Sequence, residues 1–434
     1  MYGLVDCNNF FVSCERLFNP SLEGRAVVVL SNNDGCVISR SNEAKALGIP
    51  MGLPAFKIRE YTNPNNVITL SCRHIIYRDI SDRIMSLIGS EVENLQIYSV
   101  DECFFKVPYN DDESNYNFVA KLAAKVKRYI GIPVSIGVAP SRTLAKIASH
   151  IAKKTRNNSD NVFLLTKTNQ FETILRSIPV GDVWGVGRRL REKFIRYHII
   201  TAYDLSQTPM SWIKHQFTIN EERTVLELNG EDCSKVNAID EPNKSIMASR
   251  SFGKLINEKK ILWEAVAYFA SCCAERLRAQ GSATTMVSVY IRCDEHKEQL
   301  AYYSNSCDIR LLTPTCDTTI ITQHAYKAFN SIFRDGYQYK KAGVCVSHLV
   351  PNSDIQLNVF ESIDVDKQKR LMNALDKINN TCGKGALILG AQGTEKKWSP
   401  RKEHIAQGSK VLRIYSGMTL PQIKYENTNA NDTK

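Results

Sequence analysis

The segment Ile97-Tyr98-Ser99-Val100-Asp101-Glu102-Cys103-Phe104-Phe105 sets two adjacent carboxylates inside an apolar stretch. Aromatic and β-branched residues on both sides predict a strand pair, or a strand with a tight bend. Buried carboxylates need partners, and two side by side repel unless a cation lies between them. Consecutive strand residues point to opposite faces, so both acids serve one site only at a turn or a strand end. The pair is either a solvated turn or part of a cation site.

A third acid bears on that choice. Tyr2 to Val5 predict a buried strand, and Phe11, Cys14, Leu17 and Phe18 recur at helical spacing, with Asn8 or Asn9 as the cap. Asp6 therefore falls where a strand ends and a helix begins. Free backbone N–H groups and a carboxylate-held metal can share a phosphate at such a place. Three carboxylates, with no His or Cys at ligand spacing, favour Mg²⁺ over Zn²⁺.

The chain has 434 residues and a net charge of +11, which points to an anionic partner such as nucleic acid. Its 13 cysteines are scattered, without a C-x-x-C pair, as expected of reduced thiols in a cytoplasmic protein. No apolar run reaches the length of a membrane span, and the N-terminus, occupied by Asp6, lacks the pattern of a removable signal.

Further elements follow in order. Ala26 to Leu30 predict a buried strand, Ser41 to Leu47 a short helix, and Ser71 to Ile88 a longer one. An acidic loop is expected over 110–115, a helix over 116–129 and a strand over 134–138. In the helix predicted over 141–154, Leu144, Ile147, Ala148 and Ile151 form the apolar stripe, opposite Arg142, Lys146, Ser149 and Lys153. Gly185 and Gly187 allow a tight turn whose N–H groups can approach a phosphate. Residues 244–350 alternate predicted strands and helices and carry 14 Lys and Arg against 9 Asp and Glu. Gln356-Leu357-Asn358-Val359-Phe360 is an apolar cluster in a polar stretch, either a docking peptide or a packing anchor. An amphipathic helix over 365–378 and a strand-like 386–389 follow.

Asp6 with Asn8 and Phe10-Phe11, then Ser31-Asn32-Asn33-Asp34-Gly35-Cys36-Val37-Ile38-Ser39-Arg40, then Tyr98 to Glu102, resemble in order and spacing the Y-family of DNA polymerases, and within it the UmuC branch. The resemblance runs from Met1 to about residue 420. It implies a multidomain α+β right-hand polymerase. The palm would comprise 1–30 and 73–172, the fingers 31–72, and the helical thumb 173–238 with a helix-hairpin-helix. The little finger would be 244–350, and 351–434 a clamp-binding linker and C-terminal segment.

The implied activity is error-prone translesion synthesis in the SOS DNA-damage response: template-directed transfer from a dNTP to a primer 3′-end with two Mg²⁺ ions. By the same resemblance Asp6, Asp101 and Glu102 are catalytic metal ligands. Cys7, Asn8, Asn9, Phe10, Phe11, Ser39, Lys45 and Lys146 contact the nucleotide, with Phe11 as the steric gate against a ribose 2′-hydroxyl. Lys45 stands where the family often has Arg, and Asn42 where it often has an aromatic residue. Gly185, Gly187, Arg250 and Lys254 are expected to contact primer-template DNA, and Gln356 to Phe360 the sliding clamp, with Val359 where Leu is usual. A processed UmuD-type dimer and a RecA filament are the other implied partners. A two-metal structure-specific nuclease and a non-catalytic DNA-binding adaptor are the alternatives.

Overall fold

The computed structural model describes residues 1–154, 161–166, 171–233, 242–297, 299–355, 364–401 and 403–404. The buried strand β1 (Tyr2–Cys7) runs into α1 (Phe10–Phe18) through Asn9, whose φ of 50° is left-handed and breaks the strand. β2 (Val27–Leu30), β3 (Val37–Arg40), the short helix α2 (Asn42–Ala46) and β4 (Ile68–Ser71) come next. These three strands form a separate sheet in the order β3-β2-β4. Val27–Leu30, grouped with the palm in sequence, is thus the centre of the smaller sheet: all four residues are buried and pair on both sides.

The helix α3 (His74–Gly89) leads to β5 (Gln96–Ile97) and β6 (Glu102–Lys106), the expected strand pair around the two acids. α4 (Asp112–Ile130) starts earlier than its apolar pattern suggests. Residues expected in an acidic loop form its first turn, where Asp112 and Glu113 complement the helix dipole and the Asp111 carboxylate accepts from the Ser114 N–H. β7 (Val134–Ala139), α5 (Arg142–Lys154) and β8 (Val162–Leu164) complete the unit. Its five-stranded sheet has the order β5-β6-β1-β7-β8. α1, α3 and α4 pack on the face carrying Val5, Cys7, Cys103 and Phe105, and α5 packs on the face carrying Tyr2, Leu4 and Phe104.

Five short helices follow: α6 (Phe171–Ser177), α7 (Arg188–Arg196), α8 (Ala202–Ser206), α9 (Met210–Gln216) and α10 (Ile219–Leu228). They share their apolar core with α5, so this helical unit is seated on the five-stranded sheet. The next body contains β9 (Ser245–Ile256), α11 (Lys259–Gln280), β10 (Ser282–Cys293), β11 (Ser304–Thr315), α12 (Thr318–Ile332) and β12 (Tyr339–Pro351). Its antiparallel sheet runs β11-β10-β12-β9 under α11 and α12. The sequence pattern did not reveal β11: it is an edge strand whose first half is largely exposed and which carries Pro314. Finally α13 (Val365–Cys382) extends four residues past its expected end. Residues 386–389 form no strand: the Leu387 backbone is tied to the Asn379 side chain, which satisfies it without a sheet partner. Among the described residues no helix is long and apolar enough to cross a membrane.

Candidate active site

β1 and β6 pair antiparallel with Asp6 opposite Glu102. Both carboxylates face α5, and α5 lies close because Gly137 on β7 leaves room: a Cβ there would come within 2.1 Å of the Ser149 nitrogen. From that distance α5 presents two cations. The Lys146 ammonium is 2.9 Å from Glu102, and Lys153 forms an ion pair with Asp6. The four charges line a cavity of about 280 Å³, to which Ile178, Asp182 and Trp184 also contribute. The Trp184 indole donates to the Tyr98 hydroxyl at 3.2 Å, and the Lys146 ammonium sits 4.5 Å from the Tyr98 ring centroid.

Burial raises the Asp6 carboxyl from its ordinary range to about 7; Lys153 pulls it down and the Glu102 charge pushes it up. Two acids at one register position thus carry more negative charge than their surroundings solvate, and lysines now balance it. Oxygen donors of this kind suit a hard divalent cation. Asp101 is not among the lining residues. Its carboxylate takes a hydrogen bond from the Ser99 hydroxyl, and its charge acts on the buried thiols of Cys7 and Cys14. The structure therefore brings Asp6 and Glu102 together and leaves Asp101, the sequence neighbour of Glu102, outside the residues that line the cavity. Among the described residues no three His, Cys, Asp or Glu side chains gather as a metal-ligand cluster.

The residues expected around a nucleotide divide. The Cys7 N–H donates to the Asp101 carbonyl and the Asn8 N–H to the Pro133 carbonyl, both at 2.9 Å, so those two amides are committed to the fold. Asn9, Phe10 and Phe11 open α1, where first-turn amides lack intrahelical acceptors. The Ser39 hydroxyl reaches the same turn, between the Asn9 carbonyl and the Val12 N–H at 3.3 Å each. The Lys45 pKa is lowered by partial burial and by the positive charges of Arg40 and Lys153, while Asp6 opposes the shift; Lys45 thus feels the same charges as the cavity. Phe10 is in the core, whereas Phe11 is half-buried and stacks on Tyr77 with 4.6 Å between centroids. Tyr77 is fixed in turn, its hydroxyl donating to Glu15 at 2.6 Å beside Arg73.

Lys153 was legible in sequence only as part of a solvated helix face; its partner Asp6 appears once the strand and helix are packed. Asp182 and Trp184, which line the same cavity, carry no signal of their own in the sequence. Gly185 adopts a φ of +90°, as a tight turn requires, while Gly187 is the extended N-cap of α7. Arg250 and Lys254 are exposed on β9; Arg250 shares strand parity with buried Ala248 and Phe252, and its charge acts on Tyr268 and Cys272 of α11. Gln356 to Phe360 lie outside the described residues.

The impB/mucB/samB family model matches residues 5–150, the C-terminal domain model of that family matches 243–359, and a domain of unknown function, DUF4113, matches 369–408. Protein UmuC of Salmonella typhimurium is 37% identical over 408 residues, covering 94% of this chain and 97% of that protein. DNA polymerase IV of Desulfatibacillum aliphaticivorans is 26% identical over 404 residues, covering 90% of this chain and 96% of its own. A solved Y-family DNA polymerase chimera of Dbh and Dpo4 superposes with a TM-score of 0.62 at 20% identity, covering 81% of this chain and 99% of that one. The chain belongs to the impB/mucB/samB family of Y-family, UmuC-type polymerases. The expected α+β right-hand fold is borne out.

Proposed function

We propose that this chain is an error-prone translesion DNA polymerase that adds deoxynucleotides to a primer 3′-end opposite damaged template, as part of a DNA-damage response. The observation that carries the reading is the Asp6–Glu102 pair at one register position, balanced by Lys146 and Lys153 on a single helix. Asp6 and Glu102, with Asp101, would hold the divalent metal, taken to be two Mg²⁺ ions. The metal, when bound, supplies Lewis acidity at the phosphate and lowers the pKa of the attacking hydroxyl.

The chain's own groups do the rest. With their charge balanced by a bound metal, Asp6 and Glu102 would release the ammonium groups of Lys146 and Lys153 to the triphosphate, where negative charge builds during transfer. Lys45 approaches the same charges from the fingers. The first-turn amides of α1 add donors at a helix N-terminus. The Phe11 ring, held flat on Tyr77, bars a 2′-hydroxyl. DNA is tracked by the basic outer body, where Lys341 and Arg310 join Arg250 and Lys254 as candidate phosphate contacts. A sliding clamp at Gln356 to Phe360, a UmuD-type dimer and a RecA filament are proposed partners, and the cytoplasm the proposed compartment.

Primer extension across an abasic site tests the reading, with and without those partners, wild type beside Asp6→Asn and Asp101→Ala. Extension by wild type alone supports it. Shortened DNA would point to a nuclease, and extension surviving Asp6→Asn would remove the carboxylate pair from the reaction.

A further inference from the structure

We propose that the C-terminal segment matched by the domain of unknown function is a clasp that ties the little finger to the fingers and slows release of DNA. The DNA part of this inference rests on the polymerase reading; the clasp itself rests on contacts alone.

One end of the segment is anchored on the little finger. The Arg278 guanidinium of α11 forks Asp376 of α13 at 2.6 and 2.7 Å, and Met372 is buried beside it. Trp398 is 2% exposed and packs its ring 4.9 Å from Tyr268 and 5.4 Å from Phe269. The residues just beyond cross to the other body. The Arg401 N–H donates to Asn33 Oδ1 at 2.9 Å, and the Glu403 N–H to Asp34 Oδ2 at 2.7 Å. His404 and Ser71, the last residue of β4, exchange two bonds: the Ser71 N–H donates to the His404 carbonyl at 2.8 Å, and the His404 N–H to Ser71 Oγ at 3.0 Å.

Both surfaces are shaped for this crossing. Asn33 and Asp34 are successive non-glycine residues at φ of 63° and 52°, a conformation that costs energy and that Asn and Asp tolerate best. The turn aims both side chains at the clasp, and Asn33 also donates to the Ser251 carbonyl of β9 at 3.0 Å. On the little finger, Gly253 lets the segment pass: a Cβ there would lie 2.8 Å from the Arg401 nitrogen and 2.9 Å from the Ser399 carbonyl oxygen. One asparagine therefore joins β9 to the fingers turn and receives the clasp as well. Domain contacts of this size open readily by themselves, and a covalent strap across them raises the effective concentration of the closed state. On the polymerase reading, DNA gripped by both bodies would leave only when they separate, so the clasp would act on the dissociation rate.

The test uses the full chain. Gly253→Ala crowds the clasp from the little finger. Asn33→Gly with Asp34→Gly removes two of its three side-chain acceptors on the fingers while tolerating the left-handed backbone. Amide exchange of Ser71, Arg401, Glu403 and His404 reports the clasp, and loss of a fluorescent primer-template reports DNA release. Both variants should raise exchange and speed dissociation by about three-fold or more, and the combined variant should be no faster than the stronger single one, since both open the same latch. Unchanged exchange would overturn the clasp. Raised exchange with unchanged dissociation would overturn its role on DNA. A wild type that protects these amides yet neither binds nor extends primer-template would overturn the polymerase reading and leave the clasp standing.

Discussion

At Asp6 two opposing forces meet: burial favours the neutral acid, and Lys153 favours the carboxylate. Removing the lysine leaves Asp6 buried against Glu102 without its own ion-pair partner, and removes a donor from the site of charge development. Lys153→Ala should therefore lower kcat/KM for dNTP by about 10²-fold in single-nucleotide insertion kinetics. A gate acts differently. Phe11→Ala should raise ribonucleotide insertion without comparable loss of dNTP insertion, read by competing the two substrates on one primer. Its support is a stability matter as well: Glu15 is buried between Arg73 and Tyr77, so Glu15→Gln strands the guanidinium and should cost about 3–5 kcal/mol in denaturant unfolding. Asp6 and Glu102 stand out in the sequence because each interrupts an apolar run; Asp101 stands out in the same way, yet it does not line the cavity. Lys153 was not, since a basic residue on the polar face of an amphipathic helix has the same pattern whether it meets solvent or a carboxylate two elements away.

Among the elements, α5 carries both cavity lysines and is fixed at two points. Along its length it rests on Gly137. At its start the buried Glu227 of α10 accepts from the Thr143 N–H at 2.9 Å, and the Ser141 hydroxyl donates to the Glu227 carbonyl at 2.6 Å. A carboxylate at a helix N-terminus stabilises it through the helix dipole. Gly137→Ala should lift α5 from the sheet, with a stability loss of about 1–3 kcal/mol or more in denaturant unfolding and a fall in insertion rate. Periodicity read most helices and strands within a few residues, because their faces are cleanly divided. It failed where polarity is local: at the acidic first turn of α4, taken for a loop, and at the half-exposed edge strand β11.

On the scale of the molecule, the contacts between distant segments do not follow from the sequence. Nothing in residues 398–404 announces that they meet Asn33, Asp34 and Ser71, more than 300 positions away. The net charge of +11 is a whole-molecule property, and its consequence is salt dependence. The logarithm of the DNA association constant should fall linearly with the logarithm of salt, with a slope of about −0.9 per phosphate neutralised on duplex DNA, measured by fluorescence anisotropy. A flat response would remove phosphate tracking as the source of affinity.

Glu227 belongs to the helical unit of α6 to α10, yet it caps the helix whose lysines balance Asp6 and Glu102 on the five-stranded sheet. The two domains therefore share one energetic account of the reaction centre. A duplex that shifts the thumb changes how firmly α5 is held, and hence how strongly the lysines engage their acids or a triphosphate. By reciprocity, a bound triphosphate must alter the affinity for the duplex by the same factor. Substrate and template binding would then be coupled through a single capped helix, and Glu227→Gln would weaken that coupling before it weakened either affinity alone.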